Sequence, residues 1–389
     1  RKVAQVGMLS PPPSWGTMMS ILSASDAGRE FLRIILSSAW DVAEDWFESD
    51  HMKIGLARYA SEIMVGPREK GTGNAMWFVA GLHTWGMAVP VGGSGALSEA
   101  LEKYILSNGG TIKVNTPVKS VKIKDGVATG VILNNGEEIL ATRAVVSNVN
   151  VKQLFLEMVP ADVLPAGFQD RVKRLKPASF SGLKQDLALN EAPKFKAGPQ
   201  VDGALYVEYS VDDPEAFGRA FDDYCYGIPN TQMPMMSITS MLDPTRAPKG
   251  KHTMYLWHYE PYHLKQGGAA RWDEIKQEVA DAILDTAFAH MTSVSRANVL
   301  GRWIMSPRDM PRNFPCMLEG DLGHIAHFLT QFFANRPLPG WGNYKTPIPK
   351  LYMCGASTYP GQGVTAGGRA AVQAIMEDLG IDFRKVVKK

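Results

Sequence analysis

Apolar residues in the first part of the chain recur at the three-to-four-residue spacing of helices. Residues 17–64 are poor in proline and carry Phe31, Ile34 and Ile35, then Trp40, Val42, Trp46 and Phe47 at that period, after a loop marked by Pro11, Pro12 and Pro13. A glycine-rich stretch, GPREKGTGNAMW, separates this region from a second one. There Pro90 ends one element and Gly92, Gly93 and Gly95 lead into a helix predicted over about 96–106. Leu97, Leu101, Tyr104 and Ile105 share a face of it, and Asn108-Gly109-Gly110 stops it.

The pattern then switches to short β-branched runs. Asp125-Gly126 and Asn135-Gly136 punctuate them, so the spacing predicts a three-stranded meander over 117–124, 127–134 and 137–142. Residues 144–147 are apolar throughout and read as a strand returning to a buried sheet. From 151 to about 335 the pattern is less regular, with strand-like GALYVEYS and HTMYLWHYE and a helix in WDEIKQEVADAILDTAFAHM. The end is a strand, KLYMCGAS, a loop, TYPGQGV, and a helix, TAGGRAAVQAIMEDLG. These shifts divide the chain into four segments, 1–90, 91–150 with the meander, 151–335 and 336–389, expected to belong to two intertwined or successive domains.

Composition narrows the classes. With 45% hydrophobic and 21% charged residues in 389, the chain is a folded protein too long for one ordinary core. Its 41 basic and 39 acidic side chains give no charge excess for nucleic acid. Cys225, Cys316 and Cys354 are odd in number and far apart, so neither a disulfide framework nor a zinc site is expected. A reducing compartment fits them, the cytoplasm or a mitochondrial matrix. No apolar run of transmembrane length occurs, and contact of the early helices with a membrane surface stays open, without a basic amphipathic face to support it. The first residues are basic but lack the apolar core of a secretory signal. The start at Arg1 raises the expectation that upstream residues were lost or belong elsewhere.

Two glycine-rich helix starts carry the candidate chemistry. In the last unit, Gly355 permits a tight turn, and Gly361 and Gly363 let backbone approach a ligand without Cβ interference. Val364 to Gly368 then lie at a helix amino end, where free N–H groups and the dipole favour an electron-rich ligand atom. Such a place suits the N1–C2 carbonyl side of a flavin; equally, the glycines serve only close helix–strand packing. The turn at Gly92 and Gly93 invites the same pair of readings. Neither turn is a dinucleotide fingerprint, and no G-x-G-x-x-G after an apolar strand, with an acid about 20 residues on, is found.

Two stretches, VPVGGSGALSEALEKYILSNGGTIKVNTPVKSVKIKDGVATGVILNNGEEILATRAVVSNV and LYMCGASTYPGQGVTAGGRAAVQAI, resemble the phytoene-desaturase-like flavoproteins, which include bacterial-type carotene desaturases and retinol saturases. DVAEDWFESDHMKIGLA, GRWIMSPRDM and QFFANRPLP are similar to the branch of pyridine nucleotide-disulfide oxidoreductase domain-containing proteins. The resemblance implies a mixed α/β (α+β) fold of the GR2 type, with an FAD/NAD(P)-binding domain and a substrate domain of mixed sheet and helices. It places Gly92, Gly93 and Ser94 near the isoalloxazine and Val118 against the adenine. Gly355, Gly363 and Val364 fall beside the ribityl chain and pyrimidine, with Gly367 opening the following helix. The family's first βαβ unit is not in this sequence, so the segment is expected to be truncated away or supplied by a second polypeptide.

On this resemblance the chain is an FAD-dependent oxidoreductase of the dehydrogenase or desaturase type, taking hydride from a hydrophobic small molecule to flavin N5. A non-catalytic subunit that keeps the fold without FAD, and a redox-neutral isomerase that uses reduced flavin, are the alternatives. His327 and His324, in GDLGHIAHF, are the candidate catalytic bases, and the branch has a histidine at the position of His327; both equally suit a packed segment. His83 and Trp85 are candidates for the pocket wall. His258 and His263 lack the supporting ligands of a metal site, and none is expected.

Overall fold

The computed structural model describes residues 9–387, the side chains of residues 77–80 and of Trp85 excepted. Four helices open the chain: α1 (Trp15–Ser23), α2 (Asp26–Leu36), α3 (Ala39–Trp46) and α4 (Asp50–Ala60). Serines set their starts. Ser14, Ser25 and Ser38 each accept a hydrogen bond from a backbone N–H of the first turn, and Ser38 does so in a reciprocal box with Asp41. The helical period read over 17–64 is thus real, and it places Ile35, Val42 and Ala57 in the interior.

Helix α5 (Met76–Trp85) leads to the turn at Gly92 and Gly93 and to α6 (Ser94–Ser107). No residue of α6 is buried, and Leu101, Tyr104, Ile105 and Leu106 face water. The meander follows as predicted: β1 (Val118–Lys124), β2 (Val127–Leu133) and β3 (Glu138–Leu140) pair in sequence order. Asp125, Gly126 and Gly136 take the positive φ that their turns need. Strand β4 (Val145–Ser147) then pairs in parallel with a strand some 200 residues on, β10 (Leu351–Met353), described below.

The irregular middle holds an antiparallel sheet. Strands β5 (Ser181–Leu189), β6 (Tyr206–Glu208), β7 (Met235–Ser237), β8 (His252–Glu260) and β9 (Val299–Met305) are ordered β6-β7-β8-β5-β9. Its two faces differ. Leu183, Leu187, Leu189, Met236, Met254 and Leu256 point one way, into a core with Trp272, Ala280, Ile283 and Leu284 of helix α8. Alternation sends Lys184, Asp186, Tyr255, Trp257 and Trp303 the other way. Part of this second face is covered: Trp257 and Tyr259 pack with Ile54 and Ala57 of α4 and with Phe217, Phe221 and Tyr224 of helix α7. The two covering helices are α7 (Pro214–Cys225) and α8 (Trp272–Ala289). Gly182 belongs to that packing, because a Cβ there would sit 2.3 Å from the Trp257 ring.

Towards its end the chain runs through β10, a glycine-rich turn and α9 (Gly367–Asp378), and a short helix, Phe383–Val387, follows. In the β4–β10 pair Leu351 lies opposite Val145 and Met353 opposite Ser147. Beneath it, Leu351, Met353 and Val145 share a core with Val121 and Ala128 of the meander and with Phe155 and Ile325. Burial of each such aliphatic side chain contributes about 1.5–3 kcal/mol. Among the described residues no helix is long and apolar enough to cross a membrane.

Candidate functional site

Turn geometry separates the roles of the carboxyl-terminal glycines. Gly355, Gly361 and Gly363 all have positive φ, which an L side chain rarely adopts. A Cβ on Gly361 would fall 2.1 Å from Nε2 of His327, and one on Gly355 would lie 3.2 Å from Asn148 Cβ. A Cβ on Gly363 would meet nothing closer than 3.9 Å, and Val364 beside it is 87% exposed. Gly355 and Gly361 therefore serve close packing as well as the turn, while Gly363 and Val364 offer an open backbone surface. Helix α9 starts at Gly367 with no side-chain cap, so its first N–H groups remain available. An electron-rich edge of a planar cofactor fits this combination of open glycine, exposed valine and uncapped helix start.

The other turn is pinned from the large sheet's side. Gly92 and Gly93 have φ of +84° and +107°, with open space where their Cβ atoms would be. The Gly92 N–H donates to Asp243 at 2.7 Å, and Arg246 bridges Asp243 (3.0 Å) to the Pro90 carbonyl (2.7 Å). Hydrogen bonds from Thr245, Gly92 and Arg246 hold the Asp243 carboxyl well below its usual range. Ser94 begins α6 and lines a cavity. Val118 opens β1 partly exposed, and His83 is exposed on α5. The Trp85 side chain lies outside the described residues.

His324 and His327 lie behind the carboxyl-terminal turn. His324 shares a 3.0 Å hydrogen bond between Nδ1 and the Ser357 hydroxyl, and its carbonyl accepts from Asn150. The His327 ring is buried against Gly361 and Phe332 and hydrogen-bonds to the Pro360 carbonyl. Burial and the nearby Arg336 push the His324 ring down to about 4 and His327 well below its ordinary value. Both are neutral at pH 7. Arg336 itself is buried and donates to the carbonyls of Gly323, Ile325, Ala326, Gln331 and Ala356, tying the histidine loop to the turn. Neither histidine is on the cavity wall.

The cavity, of about 790 Å³, lies over the uncovered part of the sheet's second face. Its floor is Lys184, Asp186, Tyr206, Tyr255 and Trp303, and its rim includes Val89, Pro90 and Ser94. Lys184 pairs with Asp186 and sits 5.3 Å from the Tyr255 ring centre and 5.1 Å from that of Trp303. Where the cavity floor meets the helix-covered area, Arg58 of α4 is buried with Glu62 and Glu208. Gln362, in the glycine turn, donates to the Glu62 carbonyl at 2.6 Å, so turn and sheet meet at this cluster. Sequence reasoning named none of these floor residues. The alternation of Tyr206 with Glu208, and of Tyr255 with Trp257, was the available signal.

The family model for flavin containing amine oxidoreductase matches residues 37–376. The rat pyridine nucleotide-disulfide oxidoreductase domain-containing protein 2 is 33% identical over 370 residues, covering 90% of this chain and 62% of that protein. The lycopene-forming phytoene desaturase of Pseudescherichia vulneris is 27% identical over 365 residues, 91% of this chain and 69% of that one. Among solved structures, an oxidoreductase from Methanosarcina mazei aligns over 94% of this chain and 75% of its own, with a TM-score of 0.58 at 18% identity, a likeness of fold. The chain thus spans about three fifths of the length of the rat relative. With the family model running from the third helix into α9, over both glycine turns and the sheet between them, this chain belongs to the flavin containing amine oxidoreductase family.

Proposed function

We propose that the chain forms the substrate side and part of the cofactor side of an FAD-dependent dehydrogenase or desaturase. The observation that carries the reading is a bridge at Glu62, whose carbonyl accepts from Gln362 of the glycine turn and whose carboxyl accepts from Tyr259 of the cavity-bearing sheet. Gly363, Val364 and the start of α9 would hold the flavin's pyrimidine and ribityl side, and Gly92, Gly93 and Ser94 would approach its ring from the cavity rim. When bound, the flavin accepts a hydride from the substrate. The chain's own groups bind and orient that substrate: Tyr255 and Trp303 give flat apolar contact, and Lys184 with Asp186 fixes a polar end. The aromatic floor supports a largely hydrophobic substrate with one polar group. His324 and His327, neutral and packed, would hold the turn in shape.

We further propose that full FAD binding needs a βαβ-bearing segment, on the same or another polypeptide. Three observations support this: the two-strand extent of the β4–β10 pair, the water-facing Leu101, Tyr104 and Ile105 of α6, and the exposed Val146 and Val364. The test is FAD uptake, read as yellow colour that dithionite bleaches, with and without a polypeptide carrying the relatives' additional segment. Colourless protein in both cases would sink the reading in favour of a non-catalytic subunit. Anaerobic product analysis then separates dehydrogenation, which stops without an electron acceptor, from isomerisation, which does not.

A further inference from the structure

Two carboxyl groups at the edge of the cavity floor, Glu62 and Glu208, gather around one buried arginine. Arg58 is fully buried; its Nη1 donates to Glu62 Oε1 at 3.1 Å and lies 3.8 Å from Glu208 Oε1, and its plane stacks 4.1 Å from the Tyr259 ring centre. Tyr259 donates its hydroxyl to the same Glu62 oxygen at 2.6 Å. Glu208 shares the Arg58 Nη1 with Glu62 and lies two positions from Tyr206 on the same face of β6. The groups facing it are Arg58, Tyr59 and Glu62 from α4 and the turn after it, Tyr206 from its own strand, and Tyr259 from β8. One arginine thus serves two carboxyl groups. Among the described residues, two of its nitrogens, Nε and Nη2, and Oε1 of Glu208 have no hydrogen-bond partner. Burial of Glu208 raises its affinity for a proton, against the pull of Arg58, and repulsion by Glu62 raises it further.

Position turns this proton store into a route. Tyr206 lines the cavity, the Glu208 side chain is 15% exposed, and the Glu62 side chain is 31% exposed. We propose that Tyr206, Glu208 and Glu62 form a proton path from the cavity to solvent, held in line by Arg58. The path rests on the oxidoreductase reading above. In such an oxidation one substrate hydrogen leaves as hydride, with its electron pair, to oxidised flavin, and a second leaves as a proton. The Tyr206 oxygen takes that proton as its own hydroxyl proton passes to Glu208. Glu208 hands the proton it already carried to the Glu62 carboxylate, and Glu62 releases it to water. The net change is one proton moved outward, with each carrier restored. Tyr206 is the one carrier that touches substrate; Arg58 is a positioning residue.

The test is infrared spectroscopy of the purified protein, with and without FAD, following protonated carboxyl groups. At pH 7 the wild type should show a carboxyl component that Glu208→Gln removes, Glu208→Asp restores and Tyr206→Phe shifts in frequency. On mixing into heavy water, the isotope shift of that component should be roughly tenfold or more slower in Glu62→Gln, which blocks the outer end. Circular dichroism checks that each variant folds, and Tyr206→Phe serves if Glu208→Gln does not. A wild type without the component, or exchange that Glu62→Gln leaves unchanged, overturns the path. Failure to bind FAD even with the added βαβ-bearing segment would overturn the function proposed above while leaving the infrared result readable.

Discussion

Nε2 of His327 lies 2.1 Å from where a Cβ on Gly361 would be, so the buried ring and the glycine turn fix each other's place. Gly361→Ala adds that clash to a strained φ of +107° and should cost about 1–3 kcal/mol in urea unfolding. Adding His327→Ala should recover part of the loss, because the clashing ring is gone. Equal stability of the single and double variants would show that the ring does not press on the turn.

Arg58 is the shared counter-charge of Glu62 and Glu208. Arg58→Met leaves two carboxyl groups without it and should destabilise the protein by about 3–5 kcal/mol. Glu208→Gln in the Arg58→Met background should be less harmful than in the wild type. A denaturant double-mutant cycle reads the difference directly.

Burial lowers His258 to about 3 and His324 to about 4, against about 6.5 in an unfolded chain. Between those values the unfolded chain binds more protons than the folded one, so stability rises with pH through the window and is lost as pH falls from about 6.5 towards 4. Each histidine contributes roughly 1.4 kcal/mol per pH unit inside its window. The raised carboxyls of Glu208, Glu260 and Asp321 act in the opposite direction. Comparing wild type with His324→Asn cancels them. Urea titrations between pH 4 and 6.5 should give a slope smaller by about one proton in the variant; parallel slopes would refute a buried neutral His324.

Helix α6 shows Leu101 and Tyr104 to water at 55% and 69% exposure. Leu101→Lys with Tyr104→Lys should leave the stability of the chain within about 0.5 kcal/mol. The same pair should abolish FAD uptake that depends on an added βαβ segment. Uptake at the wild-type level would move the docking surface elsewhere.

Helical and hairpin signals were legible because they are local. The period over 17–64, the Asp125-Gly126 and Asn135-Gly136 turns and the strand–turn–helix at the end each declare themselves within a dozen residues. Strand β5 did not. Its Lys184 and Asp186 face the cavity, while Gln185 points into the opposite face and is satisfied by the Ala280 carbonyl and Arg302. Polar residues on both faces erase the alternation that marks a half-buried strand. The glycine turns were readable as turns, but the packing role of Gly361 depends on His327, 34 positions away. The Arg58–Glu62–Glu208 cluster joins α4 to β6 across 150 residues, a partnership with no trace in local sequence.

Tyr255 and Trp257 are two residues apart on one strand, the first in the cavity floor and the second beneath α4 and α7. The cavity floor, the wall the proposed function gives to a substrate, is therefore the same slab that carries the interior, and it has little freedom to remould around a guest. Chemical variety must enter at the rim, through the segment from Val89 to Ser94, whose anchor on Asp243 and Arg246 is a handful of hydrogen bonds. Directed evolution for new guests would do best to begin there.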